Sequence, residues 1–188
     1  MAAISNYRRM ICGLGMELPL AAGLVALDVV ARLLPHPPNF TPIAASAVFA
    51  GMMLRNHALA LAVPLAAMLL GDSLLGGYDW RVMGVVYAAL ALPADLAMVA
   101  RRLRTSFVIV PVVLFSSLIF FVTTNFAVWV WSGIYPLTIS GLAHCYLAAL
   151  PFFQNTLCGD MFWSAVLFGS WWLARRVLNP LVPAQAGT

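Results

Sequence analysis

Residues 121–160 read FVTTNFAVWVWSGIYPLTISGLAHCYLAALPFFQNTLCGD. The stretch holds no lysine or arginine and a single acid, Asp160, at its far end. It does hold Asn125, Trp129, Trp131, Tyr135, His144, Cys145, Tyr146, Gln154, Asn155 and Cys158. Uncharged polar groups mixed with aromatics suit a pocket for a mostly neutral organic molecule, whereas a water-facing surface carries charges of both signs. Pro136 and Pro151 interrupt the stretch, and prolines disfavour continuous helix. Its apolar piece, 141–153, is too short to cross a bilayer. Residues 132–159 are therefore expected to form a re-entrant or surface-lying helix, the outer lid and one wall of a small-molecule site in a membrane protein.

Composition supports that class. The 188-residue chain is 63% apolar and 9% charged, with a mean hydropathy of +0.96; a soluble domain carries about 25% charged residues. One all-α transmembrane domain is expected, with lipid as its solvent. The net charge is +4, but the ten arginines are scattered at span ends, so no nucleic-acid partner is expected. Lysine is absent. That excludes a P-loop, which needs its lysine on the phosphates, and a lysine Schiff base. Any coupling to ATP must come from a partner.

Six spans are expected, at about 18–34, 42–54, 57–70, 82–100, 107–131 and 160–178. Arg8 and Arg9 precede the first apolar run as in a signal peptide, but the run continues through Asp28 and Arg32 without a small-x-small cleavage site. Spaced i, i+4, Asp28 and Arg32 can pair on one face, lowering the cost of about 2.5–3.5 kcal/mol for a lone mid-membrane charge. Ala22 and Ala26 form a small-xxx-small pair, a contact face for a partner helix or ordinary bundle packing. Four prolines in residues 35–42 make a stiff extended connector. The short runs 42–54 and 57–70, hinged at Arg55, Asn56 and His57, read as a helical hairpin or a re-entrant pair. Residues 72–81 read as a glycine-containing loop.

Orientation follows from the arginines. With a cytoplasmic N-terminus, Arg8, Arg9, Arg55, Arg101, Arg102, Arg104, Arg175 and Arg176 lie inside, and only Arg32 and Arg81 lie near the outer face. The proline connector, the 72–81 loop and the 121–160 stretch then gather outside. Both termini are expected in the cytoplasm.

The segments PHPPNFTPIAASAVFAG, VPLAAMLLGDSLLG, FFVTTNFAVWVWSGIYP, GLAHCYLAALPFFQNTLCGD and FWSAVLFG resemble a family of uncharacterised bacterial membrane proteins. That family is similar to the substrate-binding (S) components of energy-coupling factor (ECF) vitamin importers. The resemblance runs in order from about residue 32 to 169. It implies a six-helix bundle in the bacterial inner membrane with an outward-facing site. In such importers a small-xxx-small patch on the first helix meets the transmembrane partner that links to the ATPases, which implies that role for Ala22 and Ala26.

Each candidate site residue has a plainer alternative. His36 sits among prolines, as a site or gate group or as a solvated loop histidine. Asn39 and Thr41 contact ligand or bond turn backbone. Asp72, a carboxylate at the outer end of the third span, serves a site or pairs with another helix. Asn125 must bond something, a ligand or a neighbouring helix. Trp129, Trp131 and Tyr135 line the pocket or form an interfacial belt. His144 and Asn155 add an imidazole and an amide to the same outer wall. His144, Cys145 and Cys158, with His36, invite a metal reading, although their spacing matches no standard zinc pattern. A Cys145–Cys158 disulfide pinning the lid and unreactive thiols are the other options. No metal or cofactor is assigned.

The function expected is that of a substrate-binding importer subunit for a small, uncharged or zwitterionic micronutrient, a corrinoid being one candidate. Its partners would be the ECF transmembrane and ATPase subunits. The alternatives are an intramembrane metal-dependent enzyme built on Asp72, His36 and His144, and a non-transporting scaffold without a concave site. Neither HExxH nor G-x-S-x-G occurs in the chain, and no enzyme activity is expected.

Overall fold

The structure is a computed structural model and describes residues 14–103 and 106–178. Arg8, Arg9, Cys12, Arg104 and the tail after residue 178 lie outside the described residues. Six α-helices follow in order among the described residues: α1 Leu14–Leu33, α2 Ile43–Met53, α3 His57–Leu75, α4 Trp80–Ala100, α5 Ile109–Trp131 and α6 Ile139–Leu178. Short 3-10 turns at Arg101–Leu103 and Ser106–Val108 lie between α4 and α5. Three helical segments, His57–Leu75, Trp80–Leu103 and Ile109–Trp131, are long and apolar enough to cross a membrane. The chain is thus an all-α protein with three candidate spans, the mark of a multi-pass membrane protein.

The helix starts follow from local chemistry. Asn56 caps α3 by accepting from the Leu59 amide at 3.2 Å. Asp79 caps α4 by accepting from Arg81 N and Val82 N at 2.9 and 3.3 Å, satisfying amides that have no partner within the helix. Gly76, at φ 96°, ends α3 in a conformation other residues avoid.

The bundle is organised around α2. Eleven residues make about 16 Å, too short to cross hydrocarbon of about 30 Å, yet nearly every side chain of α2 is buried. A helix buried all round is a core element. Its residues are small on the sides that touch other helices: a Cβ on Gly51 would overlap the Ala94 carbonyl of α4. Ile43 packs with Met68 and Leu90 at one end, and Phe49 and Leu54 with Ala21, Leu24 and Val63 towards the other. Phe49 also meets Phe168 and Trp171 of α6, with ring centroids 5.1 and 6.0 Å apart. Beyond Leu54, the Arg101 guanidinium donates to the Gly51 and Leu54 carbonyls at 2.9 and 2.6 Å, closing the C-terminal end of α2.

Three expectations are corrected. Residues 132–159 are not a separate lid: from Ile139 the chain is helical without interruption to Leu178, forty residues with Pro151 inside. Pro151 removes one backbone donor, but α6 is fastened to α5 on both sides of it. Cys145 Sγ donates to the Asn125 carbonyl, and Ser117 Oγ to Asp160. The Cys145–Cys158 disulfide is also ruled out. Both thiols are free, and thirteen residues along one helix place them about 20 Å apart, far beyond disulfide reach. Finally, Asp28 and Arg32 do not pair. Asp28 accepts from Ser46 Oγ at 2.5 Å, while Arg32 Nη2 reaches Asp72 of α3 at 2.6 Å. α3 also runs beyond the expected 57–70 to Leu75, so the loop shrinks to residues 76–79.

Candidate functional site

The connector between α1 and α2, together with the 76–79 loop, roofs a cavity of about 350 Å³ to which all six helices contribute lining residues. Its mouth is set by Arg32 at the end of α1, His36, Asn39 and Thr41 in the connector, and Leu75 and Tyr78 after α3. Asn39 holds its place at φ 63°, a left-handed conformation that asparagine tolerates better than most residues. His36 donates Nδ1–H to the Leu34 carbonyl at 2.7 Å, which leaves Nε2 as the acceptor of the ring.

The mouth is polar and almost charge-neutral. Asp72 is buried and accepts from Arg32 Nη2 at 2.6 Å and from the Tyr87 hydroxyl at 2.8 Å. Arg32 lies directly over Gly71, where any Cβ would overlap its guanidinium. That close approach lets the ion pair form inside the bundle. Tyr78 sits above the pair. Its phenol is pushed up to about 12, first by partial burial and then by the Asp72 carboxylate, with Arg32 opposing.

The rest of the lining differs. Pro93 lies thirteen residues into α4 and Ser117 fourteen residues from the C-terminal end of α5, and the connector reaches down to this part of the bundle, Phe40 lying against Gly159 and Phe162 of α6. Here Ser116, Ser117, Thr156 and Asp160 line the wall with Ala89, Pro93 and Phe120. Asp160 is 3% exposed and accepts from Ser117 Oγ at 2.6 Å. Thr156 Oγ1 is engaged by the Phe152 carbonyl at 2.9 Å. Ser116 Oγ is buried and has no hydrogen-bond partner among the described residues. Pro93, having no N–H, denies the Ala89 carbonyl its usual donor four residues on.

A second cavity of about 270 Å³ adjoins the first, sharing Asn39, Tyr78, Val86, Phe120 and Thr156 and extending between α5 and α6 to Asn125 and Phe152. Asn125 Nδ2 donates to the Phe121 carbonyl of its own helix at 2.7 Å, leaving its second N–H and its carbonyl oxygen for other partners.

The structure brings together His36, Asn39 and Asn125 on the two cavity walls, with Asp72 behind the first through Arg32. It does not bring in the others. Trp129 donates Nε1–H to the Pro136 carbonyl at 3.0 Å, and Tyr135 is half-buried in the 132–138 turn. His144 is exposed, Cys145 is buried against α5, and Asn155 is half-buried on α6; none of these lines either cavity. Among the described residues, no three His, Cys, Asp or Glu side chains are grouped to hold a metal. Ala22 and Ala26 are exposed on the outside of α1.

Arg32, Tyr78, Ser116, Ser117 and Asp160 are cavity residues that the sequence reading passed over. The signal was present in three of them. Adjacent serines inside the apolar run 107–131, and a carboxylate opening the last apolar run, are polar groups that a membrane interior does not tolerate without purpose.

A family of unknown function (DUF6580) matches the chain over residues 14–183. No curated protein and no solved structure matches it.

Proposed function

We propose that this chain, which belongs to the DUF6580 family, is the substrate-binding membrane subunit of an ECF-type importer. It takes up a small vitamin-like micronutrient from the outer side of a bacterial inner membrane. The observation that carries the reading is the cavity lined from all six helices, open towards the 34–42 connector and the 76–79 loop. Its volume falls within the range of about 300–1,000 Å³ that small-molecule sites occupy. Its lining mixes aromatic and aliphatic groups with a few convergent polar ones, which orients a ligand without demanding high charge. The arginine distribution favours an orientation with that end outside and both termini in the cytoplasm.

Two further features favour an importer over a scaffold. A chain without lysine has no P-loop of its own, so an ATPase partner must supply the energy. The exposed Ala22 and Ala26 leave a flat strip on α1 where a transmembrane partner helix can approach closely. An enzyme built on Asp72, His36 and His144 is not favoured, because Asp72 is held by Arg32 and Tyr87 and His144 lies away from the cavity.

The test is native mass spectrometry of the full-length chain released from lipid nanodiscs, set beside Ala44→Trp, whose indole would fill the cavity. The wild type is expected to retain a small molecule that Ala44→Trp lacks. A wild type that carries none, or a variant that carries the same amount, would remove the basis of the substrate-binding reading.

A further inference from the structure

We propose that the cavity takes an organic cation at Asp160, a small ligand whose protonated amine that carboxylate neutralises. This rests on the substrate-binding reading and narrows it from a vitamin-like molecule to one carrying an ammonium-type head.

The argument is a comparison of carboxylates. Among the described residues, Glu17 accepts the Arg55 and Asn56 amides at 3.1 and 3.3 Å. Asp72 has Arg32, Asp95 has His57 at 2.6 Å, and Asp79 caps α4. Asp28 is wholly buried against Ser46 and does not line the cavity. Asp160 alone among them lies on the cavity wall without a cationic or backbone N–H partner, its one bond being from Ser117. A carboxylate in a dry interior either takes up a proton or pairs with an opposite charge, and a ligand's protonated amine supplies that charge. Within this cavity Arg32 cannot supply it, being committed to Asp72.

The groups around Asp160 match such a ligand. Ser116 Oγ, 2% exposed and without a partner among the described residues, is a hydroxyl able to accept a second N–H. The Ala89 carbonyl, deprived of its donor by Pro93, is a further acceptor on a residue that lines the cavity from α4. An ammonium head brings three donors and no acceptor, the complement of a wall of acceptors. Phe120 and Tyr78 offer aromatic faces for its apolar body. A carboxylate ligand placed there would face Asp160 in a medium where like charges repel strongly.

The experiment uses the full-length chain in phosphatidylcholine nanodiscs and three probes of matched shape: 2-phenylethylammonium, neutral 2-phenylethanol and anionic phenylacetate. Dissociation constants come from isothermal titration. The ammonium is expected to bind at least tenfold more tightly than the alcohol, and phenylacetate more weakly still. Asp160→Asn is expected to erase the preference, and Asp160→Glu to keep it, which separates lost charge from lost folding. Equal binding of alcohol and ammonium, tighter binding of the acid, or an Asp160→Asn protein that still prefers the ammonium would overturn the assignment. If the alcohol or the acid wins and Ala44→Trp abolishes its binding, substrate binding stands and only the cation assignment falls. If no probe binds and native mass spectrometry finds no retained molecule, both fall together.

Discussion

Removing either partner of the Arg32–Asp72 pair tests whether the mouth of the cavity is built as described. The two side chains are 16% and 4% exposed and their bond is 2.6 Å. Breaking such a pair from one side leaves a buried charge behind and costs about 3–5 kcal/mol. In Asp72→Asn the guanidinium would retain only the Met68 carbonyl and sulfur, both at 3.4 Å, poor substitutes for a carboxylate, so about 3–4 kcal/mol is expected. In Arg32→Met the carboxylate keeps the Tyr87 hydroxyl at 2.8 Å, and about 3 kcal/mol is expected. Arg32→Met combined with Asp72→Asn leaves no charge at all. Its cost should be about 1–2 kcal/mol, far below the sum of the singles. Equilibrium unfolding in dodecyl maltoside micelles, followed by tryptophan fluorescence, measures all three. A double variant whose loss equals the sum would show that the two groups do not interact, and the account of the mouth would fail.

Three other outcomes follow from the packing. Gly51→Ala places a methyl against the Ala94 carbonyl and 2.8 Å from Ala97 Cβ, so it should cost about 1–3 kcal/mol in the same unfolding assay; Gly23→Ala, with open space around it, should stabilise the helix by no more than about 1 kcal/mol. The Tyr78 phenol is raised from 10.0 to about 12, so the folded state holds that proton more tightly than the unfolded chain does. This stabilisation is full below pH 10 and lost as pH rises to about 12; phenolate absorbance of wild type minus Tyr78→Phe should show the late step, and a midpoint near 10 would contradict it. Amide exchange over residues 139–158 should be as slow as over 160–178, as one continuous helix requires, apart from the residues next to Pro151; rapid exchange throughout 139–158 would restore the separate lid.

The sequence made legible whatever depends on near neighbours. The proline run after Arg32 marked the connector. The apolar runs gave the helical class and, in 82–100 and 107–131, two of the three long helices. Two things were hidden. Pro151 reads as a break because proline removes a backbone bond, yet α6 continues through it, fixed to α5 by contacts twenty and forty-three residues apart in sequence. Arg32 had a partner four residues away that looked sufficient, and the fold gave it one forty residues away instead. No periodicity in a single chain reports such choices, because they are decided between helices.

The same limit explains why Asp160 escaped attention while Asp72 did not. Both are carboxylates at the edge of an apolar run, and a sequence gives them equal standing. Reading α6 as beginning at residue 160 puts its carboxylate at the outer water boundary, where ionisation costs little. The continuous helix that starts at Ile139 carries the same carboxylate into the bundle, level with Ser117 and next to Gly159, which Phe40 of the connector covers. Its surroundings change from solvent to the buried wall of a cavity. Asp72 makes the opposite passage: it draws Arg32 inward across Gly71 and becomes half of a neutral pair. One change in helix length and one long-range ion pair therefore move the chemically demanding group from Asp72, where the sequence placed it, to Asp160.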